Sequence, residues 1–313
     1  MLRNALLYLS NQQGIFDFVR HNGIAKSFAS RFVAGESVTS AIEAVRGLNA
    51  KGITASLDLL GESTTNEKEA YTSQREYLQL LDLIAREKLD ANVSLKLTAM
   101  GMDISDELCV KVTRDILERA KQYGSFVRLD MESSAYTQKT LDLFEQHFYP
   151  DYRANVGIVL QSYLYRTDAD AKRASELGAR VRICKGAYKE PAEVAFPEKE
   201  DVDKCFVRAM HHLMEHGNYP GIATHDEVII AEAKRFAKEK GIARDRFEFQ
   251  MLFGVRRDLQ EALVRDGYRI RCYVPFGTQW YPYLMRRLAE RPANMAFMAG
   301  NVMKEMIGGR RSA

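Results

Sequence analysis

The stretch NVSLKLTAMGMDISDELCVKVTRDILERAKQYGSFVRLDMES (92–133) decides the fold. It opens on a short run with β-branched residues, NVSLKLTA (92–99). It then passes through DELCVKVTRDILERAKQYG (106–124), whose apolar residues recur at helical spacing, and closes on a second strand-like run, FVRLDMES (126–133). Strand, helix and strand in so short a span make a parallel unit. The same rhythm continues outward in both directions. Upstream lie ITASLDLLGE (53–62) and the helical KEAYTSQREYLQLLDLIAREK (68–88). Downstream come NVGIVLQSY (155–163), RVRICKGAY (180–188), GIATHD (221–226), FEFQMLFG (247–254) and RIRCYVPFG (269–277). Among the intervening helical stretches, VIIAEAKRFAKEKG (228–241) ends in the Gly that favours a helix C-terminus. Eight strand units in a span close to the ~250 residues of such folds predict a closed (βα)8 barrel of the TIM type. A doubly wound sheet is the main competitor. It usually has fewer strands, and no Gly-x-Gly-x-x-Gly follows the first strand here.

Working outward to the ends, residues 1–50 read as helical, with breaks near Gly14, Gly23 and Gly35. Within them TSAIEAVRGLNAKG (39–52) is amphipathic and leads into the first strand. The expected organisation is an N-terminal helical arm (1–50) packed on a barrel domain (51–313). The 313 residues are 46% hydrophobic and 28% charged, enough to bury a full core. Lys and Arg number 45 against 42 Asp and Glu, a net charge of +3, too even a balance for a nucleic-acid binder. The four cysteines (Cys109, Cys184, Cys205, Cys272) are scattered and fit neither a disulfide framework nor a zinc pattern. Cys184 and Cys272 fall inside apolar runs, where a thiol packs as a small hydrophobe. No run of ~18 apolar residues and no secretory leader is present, so a soluble, cytoplasmic protein is expected.

Barrel enzymes keep their chemistry at the C-terminal ends of the strands. Those ends carry Lys96, Asp130, Glu132, Gln161, Arg182, Lys185, Thr224, His225 and Tyr273. A lone strand-end Lys is usually just a solvated charge. Arg182 is harder to dismiss, because it sits between Val181 and Ile183 in an apolar strand and must face a partner or a ligand. Three cations, Lys96, Arg182 and Lys185, predict an anionic ligand or a cofactor phosphate at this rim. In WYPYLMRRLAERPAN (280–294), Arg286 and Arg287 are consecutive, and Glu290 lies one helical turn on, where it can brace both. The pair is either a solvated salt-bridged face or a clamp for a carboxylate, which the planar guanidinium matches bidentately. His211, His212 and His216 include a metal-compatible helical spacing, but no third ligand at suitable spacing is evident, so no metal is expected. The Met-rich MAFMAGNVMKEMIGG (295–309) reads as packing surface in preference to a membrane stripe.

Eight ordered motifs then carry a resemblance: SLKLT (94–98), VRLDMES (127–133), VLQSYL (159–164), VRICKGAYKE (181–190), ATHD (223–226), FEFQMLFG (247–254), CYVPFG (272–277) and YLMRRLAERPAN (283–294). Over essentially its whole length the chain resembles the proline dehydrogenase family, specifically the compact bacterial monofunctional enzymes. The resemblance implies a distorted (βα)8 barrel holding FAD. It implies oxidation of L-proline to Δ1-pyrroline-5-carboxylate, with a membrane quinone as electron acceptor. Peripheral contact with the inner face of the membrane and a downstream pyrroline-carboxylate dehydrogenase would accompany that activity. Residue by residue, it implies that Arg286, Arg287 and Lys96 grip the substrate carboxylate, with Glu290 orienting the arginines. Tyr273 and Leu252 would pack over the proline ring, and Tyr188 would help to close the pocket. Arg182 would hydrogen-bond near the flavin N5, and Asp130 would pair with Lys96. Lys185, Gly186 and Ala187 would run along the cofactor, with Met131, Gln161, Thr224 and His225 as further contacts. Asp226 departs from the pattern, since family members often carry Asn there.

Three rivals remain at this point. A hydroxyproline dehydrogenase of the same superfamily is disfavoured by the bulk of Tyr273. A flavin-free aldolase or lyase would use Lys96 or Lys185 as a Schiff-base amine. A non-catalytic binding module would keep the barrel and lose the turnover.

Overall fold

The structure is a computed structural model, and it describes residues 29–281, 283 and 284. Eight parallel strands close a barrel in the order β1 to β8, with β8 pairing back onto β1. They are β1 (Thr54–Leu59), β2 (Ala91–Leu95), β3 (Val127–Leu129), β4 (Val156–Gln161), β5 (Arg180–Cys184), β6 (Gly221–Ala223), β7 (Glu248–Leu252) and β8 (Ile270–Phe276). Every observed strand lies within one of the eight predicted runs, except that β2 begins one residue earlier, at Ala91. The runs overreach mostly at their C-terminal ends, where the chain leaves the sheet to form the rim. After β5, for example, the strand stops at Cys184 and the chain turns through Gly186, at φ +105°.

The helices are α1 (Val38–Asn49), α2 (Glu67–Arg86), α3 (Asp106–Gln122), α4 (Ser134–Leu143), α5 (Thr167–Leu177), α6 (Lys199–His216), α7 (Glu227–Glu239) and α8 (Arg257–Arg265). Side chains start several of them: Asn66 accepts from the Glu69 N–H, Ser105 from the Leu108 N–H and Asp226 from the Val228 N–H. Ser37 and Ser40 form a reciprocal box at the start of α1. That helix buries Ala41, Ile42, Val45 and Leu48, and the segment before it bonds to the barrel through Ala34 N–H to Pro275 O. Residues 1–28 of the expected arm lie outside the described residues.

Period-two alternation explains where the core sits. Residues of one parity, including Leu57, Val93, Val127, Ile158, Ile183, Ile222, Phe249 and Val274, are buried against the helices. Each such Leu, Val or Phe is worth about 1.5–3 kcal/mol of burial. Residues of the other parity turn to the barrel axis, and here many are polar: Ser56 and Asp58, Ser94, Arg128, Arg182, Glu248 and Gln250, Arg271 and Tyr273. Their mutual contacts establish it, as in Ser56 Oγ to Ser94 Oγ at 2.9 Å across the β1–β2 pair. Barrels of this type usually fill the axis with Val, Ile and Leu. This one spends its apolar residues on the outer layer and lines the axis with charge.

Candidate active site

Four strands converge on Arg182, which is 6% exposed. Its Nε donates to Gln250 Oε1 on β7 (2.5 Å), one Nη to Asp130 Oδ1 just past β3 (2.7 Å) and the other Nη to Ser94 Oγ on β2 (3.1 Å). The guanidinium also stands 5.2 Å from the Tyr273 ring of β8. The expectation that a cation inside an apolar strand must face partners holds, and the partners are identified. Tyr273 donates its hydroxyl to Asp130 Oδ2 at 2.7 Å. Burial and the Asp130 charge push that phenol well above its ordinary range, so it stays a neutral donor.

Lys96 does not pair with Asp130, as the resemblance implied. Its ammonium donates to both oxygens of Asp58, at 3.0 and 3.3 Å. The reason is occupancy: Arg182 and Tyr273 take one Asp130 oxygen each, while Asp58, 1% exposed, reaches inward from the other neighbouring strand. Burial opposes the Lys96 charge, yet the carboxylates of Asp58 and Asp130 outweigh it and raise the amine above its usual value. Burial also raises the Asp58 carboxyl, against the pull of Lys96. The pair is ionised, because one ammonium bonded to both oxygens is the geometry of a charged carboxylate. Tyr188, in the loop after β5, lies close enough to Lys96 to couple to it electrostatically.

The flanking rim is equally specific. Gln161, 3% exposed at the end of β4, donates its amide to Met131 O at 3.3 Å, while its Oε1 is buried without a partner among the described residues. Leu252, register partner of Tyr273, gives its backbone N–H to His225 Nε2 at 2.9 Å, which makes that nitrogen the unprotonated one. Thr224 is buried and its Oγ1 accepts the Asp226 N–H at 3.1 Å. Lys185 lies between Asp203 (2.5 Å) and Asp226 (3.0 Å). Gly186 presses on Tyr163 so closely that a Cβ would meet the ring at 2.6 Å, and Ala187 follows it in the same loop. Glu132 accepts from the Thr98 N–H and hydroxyl at 3.2 and 2.6 Å; burial pushes its carboxyl up to about 7.

The excess of cations expected at the rim is therefore corrected. Each of Lys96, Arg182 and Lys185 faces a carboxylate: Asp58, Asp130, and Asp203 with Asp226 respectively. Sequence reasoning also missed Ser94, Glu248 and Gln250. The signal was available: Asp58 lies between Leu57 and Leu59, and Glu248 and Gln250 alternate with Phe249, the same pattern that singled out Arg182. Arg286, Arg287 and Glu290 lie outside the described residues. Away from the rim, His211 contacts Glu232 at 2.9 Å and stacks on Phe236, while the His212 and His216 rings lie 4.9 Å apart. Burial pushes the thiols of Cys109 and Cys272 up to about 12, so neither is an activated nucleophile.

The model of the proline dehydrogenase family matches residues 41–300. Proline dehydrogenase 1 of Bacillus subtilis is 42% identical over 308 residues, covering 97% of this chain and 100% of the relative. The proline dehydrogenase of Deinococcus radiodurans is 40% identical over 307 residues, covering 97% and 98%. Among solved structures, proline utilization A of Bdellovibrio bacteriovorus, inactivated by N-propargylglycine, superposes with a TM-score of 0.80 at 27% identity. That match covers 88% of this chain and 34% of the larger protein, so it concerns about a third of that molecule. Agreement at this level, over nearly the full length of single-activity relatives, places the chain in the proline dehydrogenase family.

Proposed function

We propose that this chain oxidises L-proline to Δ1-pyrroline-5-carboxylate with FAD, and that a membrane quinone takes the electrons. The observation that carries the reading is the Arg182 cluster. A buried cation, fixed by three side chains, lies beside a neutral phenol and a Lys96–Asp58 pair at one mouth of the barrel.

The residues fit the cofactor. Gln161 Oε1 is a buried acceptor awaiting a donor, the kind of partner an imide N–H supplies. Gly186 keeps the loop backbone open where a side chain would collide with Tyr163. Arg182 and Lys185 are cations suited to an electron-rich ring and a diphosphate. Gln161, Met131, Arg182, Lys185, Gly186, Ala187, Thr224 and His225 would hold FAD, which when bound accepts the hydride from the ring carbon beside the proline nitrogen. Lys96, with Arg286 and Arg287 braced by Glu290, would bind the carboxylate. Tyr273 and Leu252, adjacent across the β7–β8 pair, would cover the ring, and Tyr188 would close over it. The fixed charge of Arg182 would stabilise negative charge building at the acceptor, an effect worth about 2.7–4 kcal/mol where single donors have been removed elsewhere. Holding the substrate in place supplies the rest of the positioning.

Anaerobic mixing with proline should bleach the flavin absorbance in one phase and leave two electrons per flavin. A colourless protein, or a spectrum unmoved by proline, sinks the reading. Tyr273, tethered to Asp130, leaves little room for a ring hydroxyl, so proline should exceed 4-hydroxyproline in kcat/KM. Among the described residues no helix is long and apolar enough to cross a membrane. Contact with the inner membrane face would then be peripheral, and a pyrroline-carboxylate dehydrogenase would receive the product.

A further inference from the structure

We infer that Gln250 is a positioning residue for Arg182, fixing the guanidinium without giving it a second counter-ion beside Asp130. The inference rests on the proline dehydrogenase reading above and deepens it. Strands β5 and β7 are not neighbours, since β6 runs between them. Arg182 and Gln250 nevertheless touch, because the β6 residue between them is Gly221, register partner of both Arg182 and Glu248. A Cβ on Gly221 would lie 2.4 Å from Gln250 Nε2 and 2.9 Å from its Cδ. The glycine is the opening through which one side chain reaches the other.

The orientation of the Gln250 amide is forced from both ends. Its Oε1 accepts from Arg182, and its Nε2 donates to Glu248 Oε1 at 2.6 Å. Glu248 is itself anchored by Arg271, through Nε at 2.7 Å and an Nη at 3.1 Å, and by the Tyr219 hydroxyl at 3.2 Å. Burial alone would raise the Glu248 carboxyl, but the Arg271 charge and bonds hold it below its ordinary value, so it accepts as a carboxylate. A charged acceptor on the amide N–H polarises the amide and strengthens its oxygen as an acceptor. Glu248 thereby steers Arg182 from a distance. A carboxylate at position 250 would instead give Arg182 a second counter-ion beside Asp130, make the cluster net negative and oppose negative charge at the acceptor. An apolar residue there would let the guanidinium swing.

The test compares the FAD-loaded full chain with Gln250→Met, Gly221→Ala and Gln250→Glu. Gln250→Met should lower kcat at least tenfold while KM for proline moves less than about threefold, because Arg182 does not grip the substrate carboxylate. The flavin midpoint potential should fall by about 30 mV for each tenfold loss in stabilisation of the reduced form. Gly221→Ala, which puts a methyl group where the amide lies, should reproduce both changes with Gln250 intact. In Gln250→Glu, a protonated carboxyl mimics the amide, donating to Glu248 and accepting from Arg182. Its loss of a proton should switch the enzyme off as pH rises, along an ionisation that the wild type lacks. Wild-type kcat and potential in Gln250→Met, or a Gln250→Glu profile superimposable on the wild type, overturns the inference. If Gln250→Glu fails to fold, the other two variants decide. A wild-type chain that does not oxidise proline would instead overturn the parent reading, so the two failures are distinguishable.

Discussion

The two ends of the barrel axis carry similar numbers of arginines and lysines, and they treat them differently. At the C-terminal mouth every buried cation among the described residues meets a carboxylate: Arg182 with Asp130, Lys96 with Asp58. At the N-terminal base Arg271 pairs with Glu248, but Arg128 and Arg180 have no carboxylate within ion-pair distance among the described residues. Arg128 donates to the backbone oxygens of Ile158 (3.0 Å) and Arg180 (2.6 Å) and lies over the Phe126 ring. Arg180 is sandwiched between Phe126 and Tyr219, at 4.4 and 4.7 Å from their centroids. Burial and the charges of Arg182 and Arg180 pull the Arg128 guanidinium below its ordinary value. Backbone oxygens and aromatic faces are fixed acceptors that saturate a cation in place. A carboxylate pair keeps opposite charges side by side and can reorganise around a ligand. The base is built as structure and the mouth as a binding surface.

The largest expected effect tests that division directly. Arg182→Met removes the mouth cation and leaves Asp130 buried against Tyr273 alone. Breaking one partner of a buried pair costs about 3–5 kcal/mol of stability, and losing the charge should cost about 10²–10³ in kcat. Arg128→Met orphans no carboxylate. It strips a donor from two backbone oxygens, worth about 1–3 kcal/mol, and should leave kcat within about threefold of wild type. Chemical denaturation and steady-state kinetics on both variants check this. Equal kinetic damage would mean that the base takes part in catalysis and that the division is false.

The two buried glutamates sharpen the comparison through pH. Among the described residues Glu132 at the mouth has only Thr98 as a hydrogen-bond partner, and burial lifts its carboxyl from 4.5 to about 7. Between those values the folded chain holds a proton that the unfolded chain has shed, so stability falls as pH rises through the window. The fall amounts to about 3 kcal/mol at most. Glu248 at the base is shifted the other way by Arg271, so its contribution is present above the unfolded value and lost as pH falls through the lowered one. Denaturation midpoints from pH 4.5 to 8 should therefore diverge. Glu132→Gln should abolish the mouth's loss with rising pH, whereas the cost of Glu248→Gln should stay level across this range and shrink only at lower pH. Parallel curves for Glu132→Gln and wild type would show that the Glu132 carboxyl titrates normally.

The barrel was legible because its outer layer obeys the simplest rule, a strand whose alternate residues are apolar and whose helix follows at once. Arg182 was legible for the same reason, as a charge where the pattern demanded an apolar neighbourhood. Its partners were not. Which carboxylate meets which cation depends on strand stagger and on how many acceptors each side chain has left. Thus Lys96 went to Asp58 when sequence resemblance pointed to Asp130. Gln250 was hidden more deeply, since its contact crosses an intervening strand and exists only because Gly221 has no side chain.

The smallest expected effect sits on the outer rim of the mouth, at Asp226, where the sequence resemblance leads one to expect Asn. Asp226 does two jobs: Oδ1 caps α7 at the Val228 N–H (3.1 Å), and Oδ2 accepts from Lys185 (3.0 Å). Asn caps a helix as well as Asp does, and Lys185 retains Asp203 at 2.5 Å. Asp226→Asn should therefore leave folding stability within about 1 kcal/mol, the range for partly exposed ion pairs. Under the proposed function Lys185 faces the cofactor, so removing one competing carboxylate should tighten FAD binding, by about fivefold at most for ~1 kcal/mol. Titration of the apoprotein with FAD at low and high salt checks this, because the gain is electrostatic and should shrink as salt screens it. Weaker binding in Asp226→Asn would place the carboxylate, and not the ammonium beside it, in contact with the cofactor. The rim would then resemble the base, where groups are held for structure, more than the mouth it borders.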